Sequence, residues 1–318
     1  MKMEKSDLTI VFMGTPDIAC GIVKALKEDG YNVVLGVCQP DKPVGRKKII
    51  TPPPVKVYLE EAGIPCYQPD TLKTDEAFET LSSYSPDLMI TCAYGKILPQ
   101  NVLDIPKYGC LNVHASLLPK KRGAAPIQRS ILDGDEVTGV TVMKMDAGLD
   151  TGDILSVKEI NVGIDMHSED LFAVMEEEGA KLLLDTVMPY VNGEITPVKQ
   201  NGDEATYCPP IKPEEGEFTW EDPAFVIHKK VHALSTWPGA FFMSNGKKVK
   251  IYDSTIITDN VTDEMNAAQP GTVVKAHKGD LFVKTGDGII ALRVIQTEGG
   301  KRLNAIDCAH NYKVGQQI

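Results

Sequence analysis

Long apolar runs are absent from this chain of 318 residues, and their absence excludes the usual signature of a membrane-spanning helix. Residues 1–7 also lack the apolar core of a signal peptide, so we expect a cytoplasmic protein. Cysteine is sparse: seven residues are scattered, and none form a Cys-x-x-Cys pair. This pattern argues against a disulfide framework and against a zinc site with paired ligands, and we predict no metal cofactor.

Two common nucleotide-binding motifs are missing as well. The chain contains no Gly-x4-Gly-Lys-[Ser/Thr] loop, and Gly14–Pro16 follows a strand without forming Gly-x-Gly-x-x-Gly. A P-loop nucleotidase is therefore excluded, and a nicotinamide enzyme has little support. The net charge of -11 argues against general nucleic-acid binding. Residues 209–318 are neutral, however, with 13 basic and 13 acidic side chains, so the acidic excess lies before them.

Apolar runs of strand length alternate with helical patterns up to about residue 190. Continuous apolar strands separated by helices are typical of a parallel sheet that is covered on both faces. The predicted strands are Leu8–Met13, Val33–Cys38, Leu88–Ala93, Cys110–His114 and Gly139–Met145. Such sheets bind ligands beyond the carboxyl ends of their strands, so we expect a site at that edge. The polar residues that follow strands are Thr15, Asp41, Tyr94, His114 and Asp150.

The last part of the chain has a different pattern. Residues 191–213 are rich in glycine, proline and polar side chains, which is typical of a linker. Short strands separated by turns such as Gly286–Gly288 follow, and they indicate a small OB-like β-barrel. We predict a Rossmann-like α/β catalytic domain over residues 1–190 and a β-barrel over residues 214–318.

The most informative segment is the strand end at Asn112 and His114. Side chains alternate along a strand, so these two residues lie on one face, where a parallel strand would end. An amide there can hold a developing oxyanion while an imidazole handles a proton, as acyl transfer requires. A hydrogen-bonded strand end without catalytic function fits the same residues. The pair alone leaves both interpretations open.

An acidic, glycine-rich loop follows the next strand, from Met145 to Asp153. A carboxylate in this loop could meet His114 across neighbouring strand ends, fix its tautomer and favour its charged form. A solvated acidic turn is the competing interpretation, and the segment by itself does not separate the two.

Two basic segments lie in the acidic part of the chain. Lys120–Arg122 precede a helix that Pro126 is expected to begin, and a basic helix start can bind an anion. Pro40–Lys48 form a basic, proline-bounded loop that could close on a polyanion. Solvated charged loops remain the alternative for both. The other imidazoles are predicted to be surface or capping residues: His167, His228, His232, His277 and His310.

Taken together, these motifs resemble the formyltransferase family that uses 10-formyltetrahydrofolate, and within it the branch that acts on initiator tRNA. The matching segments are Val11–Pro16, Gln39–Asp41, Gly45–Lys48, Ala93–Pro99, Asn112–Pro119, Arg122–Ile127 and Leu149–Asp153. Similarity continues into the last third at Ala205–Tyr207, Trp237–Ala240 and Gln269–Thr272, although His232–Thr236 and Cys308–Tyr312 depart from the family pattern.

The resemblance implies a role for particular residues. Asn112, His114 and Asp150 match the family's catalytic trio. The residues that would line the folate site are Tyr94, Leu98, Ser116, Leu117, Leu118, Pro119, Met145 and Gly148. The basic loop would contact the acceptor stem of initiator methionyl-tRNA through Arg46, Lys47 and Lys48. We expect a monomer that uses 10-formyltetrahydrofolate as formyl donor and needs no metal or membrane.

Three alternatives remain at this point. The same chemistry could serve a sugar-nucleotide amine, or it could hydrolyse the formyl-folate. A catalytically silent RNA-binding module belongs to a different class, and the intact set of Asn112, His114 and Asp150 argues against it.

Overall fold

A computed structural model describes residues 4–45 and 47–318, which divide into two compact units. The first unit comprises Met1–Pro126, Val137–Asn161 and Phe172–Pro209, and the second comprises Ile127–Glu136, Val162–Leu171 and Pro210–Ile318. Within the described residues, no helix is both long enough and apolar enough to span a membrane.

The first unit is built on a sheet whose central strands are almost fully buried. The strands of this unit are β1 (Thr9–Gly14), β2 (Asn32–Val37), β3 (Lys42–Val44), β4 (Ile49–Thr51), β5 (Cys66–Tyr67), β6 (Leu88–Cys92), β7 (Cys110–His114), β8 (Arg122–Gly123), β9 (Val137–Lys144), β10 (Asp153–Asn161) and β11 (Tyr207–Cys208). The main sheet has the order β10-β9-β7-β6-β1-β2-β5, and β8 pairs with β11 separately.

The helices that follow in the chain are α1 (Asp17–Glu28), α2 (Pro54–Glu61), α3 (Asp75–Ser83), α4 (Gln100–Leu103), α5 (Pro126–Leu132) and α6 (Ser168–Val191). Helices α1–α4 and most of α6 belong to the first unit, whereas nearly all of α5 belongs to the second. The amphipathic α1 buries Ala19, Ile22, Val23 and Leu26. Pro126 begins α5, as its first-turn preference predicts.

The predicted Rossmann-like sheet is confirmed for most strands but not for all of them. Strands β5, β2, β1, β6 and β7 pair in parallel, whereas β9 is antiparallel to both β7 and β10. An apolar run identifies a buried strand but carries no information on its direction, and this is why the sequence did not reveal the reversal. The ends of β6 and β7 lie side by side, with Thr91 opposite Asn112.

The second unit contains the predicted β-rich C-terminal part, in the form of an antiparallel sheet. Its elements are α7 (Ala224–Ala233), β12 (Ala240–Ser244), β13 (Lys247–Ile257), α8 (Asp263–Ala267), β14 (Val273–His277), β15 (Asp280–Lys284), β16 (Ile289–Thr297), β17 (Leu303–Asn304) and α9 (Ala305–Cys308). The sheet runs β12-β13-β16-β15-β14, with β17 on β16. Trp220, Phe218 and Phe242 pack within one apolar core of this unit.

Two imidazoles in the second unit contradict the surface or capping assignment made from sequence, whereas His167, which directly precedes α6, is compatible with it. His228 and His232, on α7, are 0% and 1% exposed, and His167 is only partly exposed. Their rings form a column, with centroids 4.0 Å apart at each step. Burial lowers the pKa of His228 and lowers the pKa of His232 to about 4. The apolar spacing of α7 had not indicated which of its polar residues face inward.

Candidate active site

The candidate site begins where β6 and β7 end. Asn112 and His114 lie on one face of β7, and Thr91 of β6 is opposite Asn112. The Thr91 hydroxyl donates a hydrogen bond of 2.7 Å to Asn112 Oδ1. This bond holds the oxygen of the amide. The Asn112 Nδ2 group, which is the hydrogen-bond donor, therefore points away from Thr91. Sequence reasoning identified Asn112 but missed Thr91, which is 3% exposed inside an otherwise apolar strand.

His114 and Asp150 are brought together although 35 residues separate them. His114 Nδ1 lies 3.8 Å from Asp150 Oδ2, and the two side chains are 7% and 14% exposed. The separation is that of an ion pair and is longer than a hydrogen bond. His114 Nε2 lies 3.0 Å from the Lys121 carbonyl oxygen. The ring is therefore held between a carboxylate and a backbone acceptor.

The loop that carries Asp150 is ordered by its own side chains. Asp146 Oδ1 accepts hydrogen bonds from Gly148 N at 3.0 Å and from Thr151 Oγ1 at 2.6 Å. Asp150 has a φ of 52°, a left-handed conformation that non-glycine residues adopt infrequently. Local hydrogen bonds therefore hold the loop in a shape that directs the Asp150 carboxylate inward.

Gly123 fixes the other side of that carboxylate. Its backbone N–H donates a 2.8 Å hydrogen bond to Asp150 Oδ2. Gly123 lies in β8 with a φ of 122°, and a Cβ atom there would lie 2.5 Å from the Cys208 carbonyl oxygen. Both the backbone conformation and the close approach of β11 require glycine at this position.

Gln200 supports the loop from behind, and sequence reasoning missed it because it lies in the segment predicted as a linker. Its Nε2 donates to the carbonyl oxygens of Asp150 at 2.9 Å and Gly152 at 2.7 Å. Its Oε1 accepts from Nε and Nη2 of Arg122, which is 5% exposed. One glutamine side chain thus joins the Asp150 loop to the strand that holds Gly123. No local motif in the sequence marks it.

The residues predicted for folate fall into two groups. Tyr94, Leu98 and Met145 pack in one apolar cluster, and the Tyr94 hydroxyl is buried without a hydrogen-bond partner among the described residues. The turn after β7 is tied to the protein instead. Ser116 Oγ donates to the Lys120 carbonyl, and Leu118 N donates to Thr141 Oγ1.

The residues predicted to bind folate also differ in how far their side chains are exposed to solvent. Ser116 and Leu118 are buried, Leu117 and Pro119 are partly exposed, and Gly148 is exposed.

Polar residues that follow the strands at the predicted edge of the sheet are joined by hydrogen bonds. Thr15 Oγ1 donates to the Tyr94 carbonyl oxygen at 3.2 Å, and Gln39 Nε2 donates to the same oxygen at 2.9 Å. The Asp41 carboxylate accepts hydrogen bonds from Gln68 and Lys56, so it is engaged away from His114. Hydrogen bonds to Lys56 and Gln68 keep the pKa of Asp41 low.

The basic loop contains a short hairpin, β3–β4, which the sequence had not predicted. Lys47 and Lys48 are exposed at its turn, and Arg46 lies outside the described residues. Large apolar side chains are exposed beside these cations, with Val44 at 56%, Ile49 at 61% and Ile50 at 63%. The hairpin therefore presents both positive charge and apolar surface to solvent.

Comparisons with known proteins identify the family of the chain. The formyl transferase family model matches residues 8–187, and the model of the formyl transferase C-terminal domain matches residues 210–313. The chain belongs to the formyl transferase family. It is 46% identical over 313 residues to the methionyl-tRNA formyltransferase of Caldicellulosiruptor saccharolyticus, which covers 96% of this chain and 98% of the relative.

Solved structures share the fold at much lower identity. The methionyl-tRNA formyltransferase from Clostridium thermocellum superposes with a TM-score of 0.55 at 20% identity, over 80% of this chain and 95% of the other. An N-formyltransferase from Helicobacter canadensis, in complex with folinic acid and dTDP-3-aminofucose, gives a TM-score of 0.64 at 18% identity. That match covers 91% of this chain and 99% of the other.

Proposed function

We propose that this chain transfers the formyl group of 10-formyltetrahydrofolate to the α-amine of methionyl initiator tRNA. The observation that carries the proposal is the juxtaposition of His114 and Asp150 on the face that also presents the Asn112 amide. The curated relative with 46% identity along nearly the whole chain is a methionyl-tRNA formyltransferase, which supports this acceptor.

The residues supply what formyl transfer requires. Attack of the amine nitrogen on the formyl carbon places negative charge on the formyl oxygen, and Asn112 Nδ2 would donate a hydrogen bond to that oxygen. The bond from the formyl carbon to the folate nitrogen then breaks. The amine loses a proton, and the departing folate nitrogen gains one. No protein nucleophile is needed, because the amine of the substrate is the nucleophile.

His114 and Asp150 are suited to these proton movements. A protonated His114 would add its positive charge near the formyl oxygen, and the Asp150 carboxylate would balance that charge and orient the ring. Their 3.8 Å separation would shorten to a hydrogen bond when substrates fill the site, as catalytic contacts commonly do. Gly123 N and Gln200 would keep the carboxylate in position during that movement.

The apolar cluster fits the formyl donor. Tyr94 and Leu98 are buried in an apolar cluster that Met145 borders, an environment in which a pterin ring could pack, and the unpartnered Tyr94 hydroxyl would hydrogen-bond to a polar group of the ligand. The turn from Ser116 to Pro119 would close one side, and Gly148 would allow close approach of the ligand to the backbone. These residues would bind and orient the folate.

The tRNA would be held by charge and by apolar contact. Lys47 and Lys48, together with Arg46, would neutralise phosphates of the acceptor stem, and Ile49 and Ile50 would pack against unstacked bases. We also propose that residues 1–190 form the catalytic domain and that the β-domain over residues 214–318 adds a second tRNA contact, because its charge is balanced where the rest of the chain is acidic.

The test is a formyl-transfer assay with radiolabelled 10-formyltetrahydrofolate and three acceptors: charged initiator tRNA, the same tRNA uncharged, and a sugar-nucleotide amine. We expect label in the charged tRNA alone. Label in the sugar-nucleotide amine, or release of free formate without an acceptor, would instead establish one of the two alternative activities. A His114→Asn variant that retained near-wild-type activity would overturn the catalytic assignment.

A further inference from the structure

Three side chains with metal-binding atoms converge in the second unit, from segments far apart in the sequence. His167 lies just before α6, His232 lies on α7, and Asp253 lies on β13. One ligand atom from each of the three lies within 4.8 Å of the others. Nothing in the sequence spacing indicates this cluster, and the formyl-transfer chemistry does not use it.

Two of the separations among these atoms are close to those around a bound ion. His167 Nε2 lies 3.6 Å from Asp253 Oδ1, and His232 Nε2 lies 3.8 Å from the same oxygen. The carbonyl oxygen of Ser254 is 3.2 Å from His232 Nε2. Ligands held at about 2.1 Å in a tetrahedron lie about 3.4 Å from one another, so these separations bracket the expected value.

His232 also has a ring nitrogen whose hydrogen-bonding need is not met. Nδ1 lies 3.0 Å from the Asp165 carbonyl oxygen, and Nε2 lies 3.2 Å from the Ser254 carbonyl oxygen. A neutral imidazole has a single N–H, so it can donate to only one of these oxygens. The shorter contact favours the proton on Nδ1. The lone pair of Nε2 then faces oxygen atoms, and a cation between them would turn this repulsion into attraction.

The cluster is open enough to receive an ion. The side chain of His232 is 1% exposed, whereas those of His167 and Asp253 are 22% and 41% exposed. The rings of His167 and His232 are stacked, with centroids 4.0 Å apart and an interplanar angle of 26°. Joint ligation of one ion would require the more exposed His167 ring to turn out of this stack.

We propose that His167, His232 and Asp253, with the Ser254 carbonyl oxygen, form a binding site for a divalent transition metal such as zinc. Two imidazoles and a carboxylate are preferred by zinc and related ions, whereas calcium and magnesium favour all-oxygen sites. The ion would join the segment before α6, helix α7 and strand β13 within one unit, and its role would be to stabilise that unit.

The experiment uses the full chain, freed of metal with a chelator and then dialysed. Zinc binding is measured by calorimetry, and cobalt is substituted to record visible absorption. We expect one equivalent of zinc, with affinity lowered at least about tenfold by His167→Asn and by Asp253→Asn. The exposed His310 supplies the matched control, because His310→Asn removes an imidazole elsewhere in the same unit and should change nothing.

Each other outcome would overturn the proposal. These are the absence of saturable zinc binding, equal loss in His310→Asn, and unchanged affinity in the two ligand variants. A strong near-ultraviolet charge-transfer band of the cobalt protein would place the metal on thiolate instead, for example on Cys38 and Cys66, whose sulfurs lie 3.5 Å apart. The two ligand variants alter partly exposed side chains, and their folding is checked by circular dichroism.

Discussion

His114 in the first unit and His232 in the second have similar surroundings by simple measures. Each is almost fully buried, and each has both ring nitrogens close to oxygen atoms. The difference lies in the kind of neighbour. The ring of His114 faces the Asp150 carboxylate, and an amide donor, Asn112, shares its face of the strand. The ring of His232 contacts two neutral carbonyls and is stacked between two other imidazoles.

This difference shows that burial of an imidazole does not by itself indicate catalysis. A reaction centre needs a partner that can balance a proton on the ring and a donor aimed at the reacting atom. Asp253 Oδ1 lies 3.8 Å from His232 Nε2, as far as Asp150 Oδ2 lies from His114 Nδ1, but Asp253 is shared with His167 and is 41% exposed, against 14% for Asp150. The environment of His232 is therefore suited to holding a neutral ring with a structural role, whereas that of His114 is suited to proton transfer.

The largest effect should follow from neutralising the carboxylate beside His114. Asp150→Asn keeps the shape of the side chain but removes the charge that balances a protonated ring, so kcat should fall by about 10²- to 10⁴-fold. Single-turnover formylation measures the change. Glu159→Gln removes an exposed acid from β10 and serves as a control, which should retain full activity. An Asp150→Asn enzyme within about threefold of wild type would contradict the assignment.

Acid should destabilise the second unit through its buried imidazoles. His232 has a folded-state pKa of about 4, below the unfolded value of about 6.5, so its contribution to stability is present above pH 6.5 and is lost as the pH falls towards 4. The loss should reach about 3 kcal/mol. His228, whose pKa burial also lowers, acts in the same direction. His167 opposes them, because the Asp253 carboxylate, 3.6 Å from its Nε2, raises its pKa.

Tryptophan fluorescence measures this effect selectively. The chain has two tryptophans, Trp220 and Trp237, and both lie in the second unit. Urea unfolding followed by fluorescence, with a chelator present, should therefore give the pH dependence of that unit. His232→Gln removes one titrating ring and should flatten the curve between pH 6.5 and 4. An unchanged slope in this variant would mean that His232 is not neutral when buried.

A smaller loss of rate should follow from removing the hydroxyl that orients Asn112. Thr91→Val keeps the size of the side chain but frees the amide to rotate, so kcat should fall about tenfold to a hundredfold, less than the roughly 10²- to 10³-fold cost of losing an oxyanion donor outright. KM for the charged tRNA should change little, because Thr91 is buried inside the sheet. Thr91→Ser retains the hydroxyl and should restore most of the rate. Equal losses in the two variants would point to packing instead.

The candidate residues predicted from the sequence lie in short continuous segments. Asn112 and His114 stand out because two polar residues end an apolar strand, whereas the acidic turn offers three carboxylates and the family resemblance alone singles out Asp150. Thr91 was not recognisable, because a threonine is ordinary in a buried strand and its partner is set by the register of β6 and β7. His228 and His232 were assigned to the surface, since a helix reveals its buried face only through clear apolar periodicity.

Gln200 supports the Asp150 loop but is not one of the proposed catalytic residues. Variants at this position test whether such support affects the rate of formyl transfer. Gln200→Leu removes both bonds to the Asp150 loop and leaves the buried Arg122 guanidinium without this acceptor. We expect kcat to fall about tenfold and the free energy of unfolding to fall by about 1–3 kcal/mol.

Gln200→Glu separates these two effects. It keeps an acceptor for Arg122 but loses the donors to the carbonyl oxygens of Asp150 and Gly152. If loop position controls the rate, Gln200→Glu should lose kcat like the leucine variant while its stability stays closer to wild type. If the only role of Gln200 is to accept hydrogen bonds from Arg122, the glutamate variant should keep both the wild-type kcat and its pH profile. A partly buried polar residue outside every local motif would then act on stability alone, as we expect of the imidazoles in the second unit.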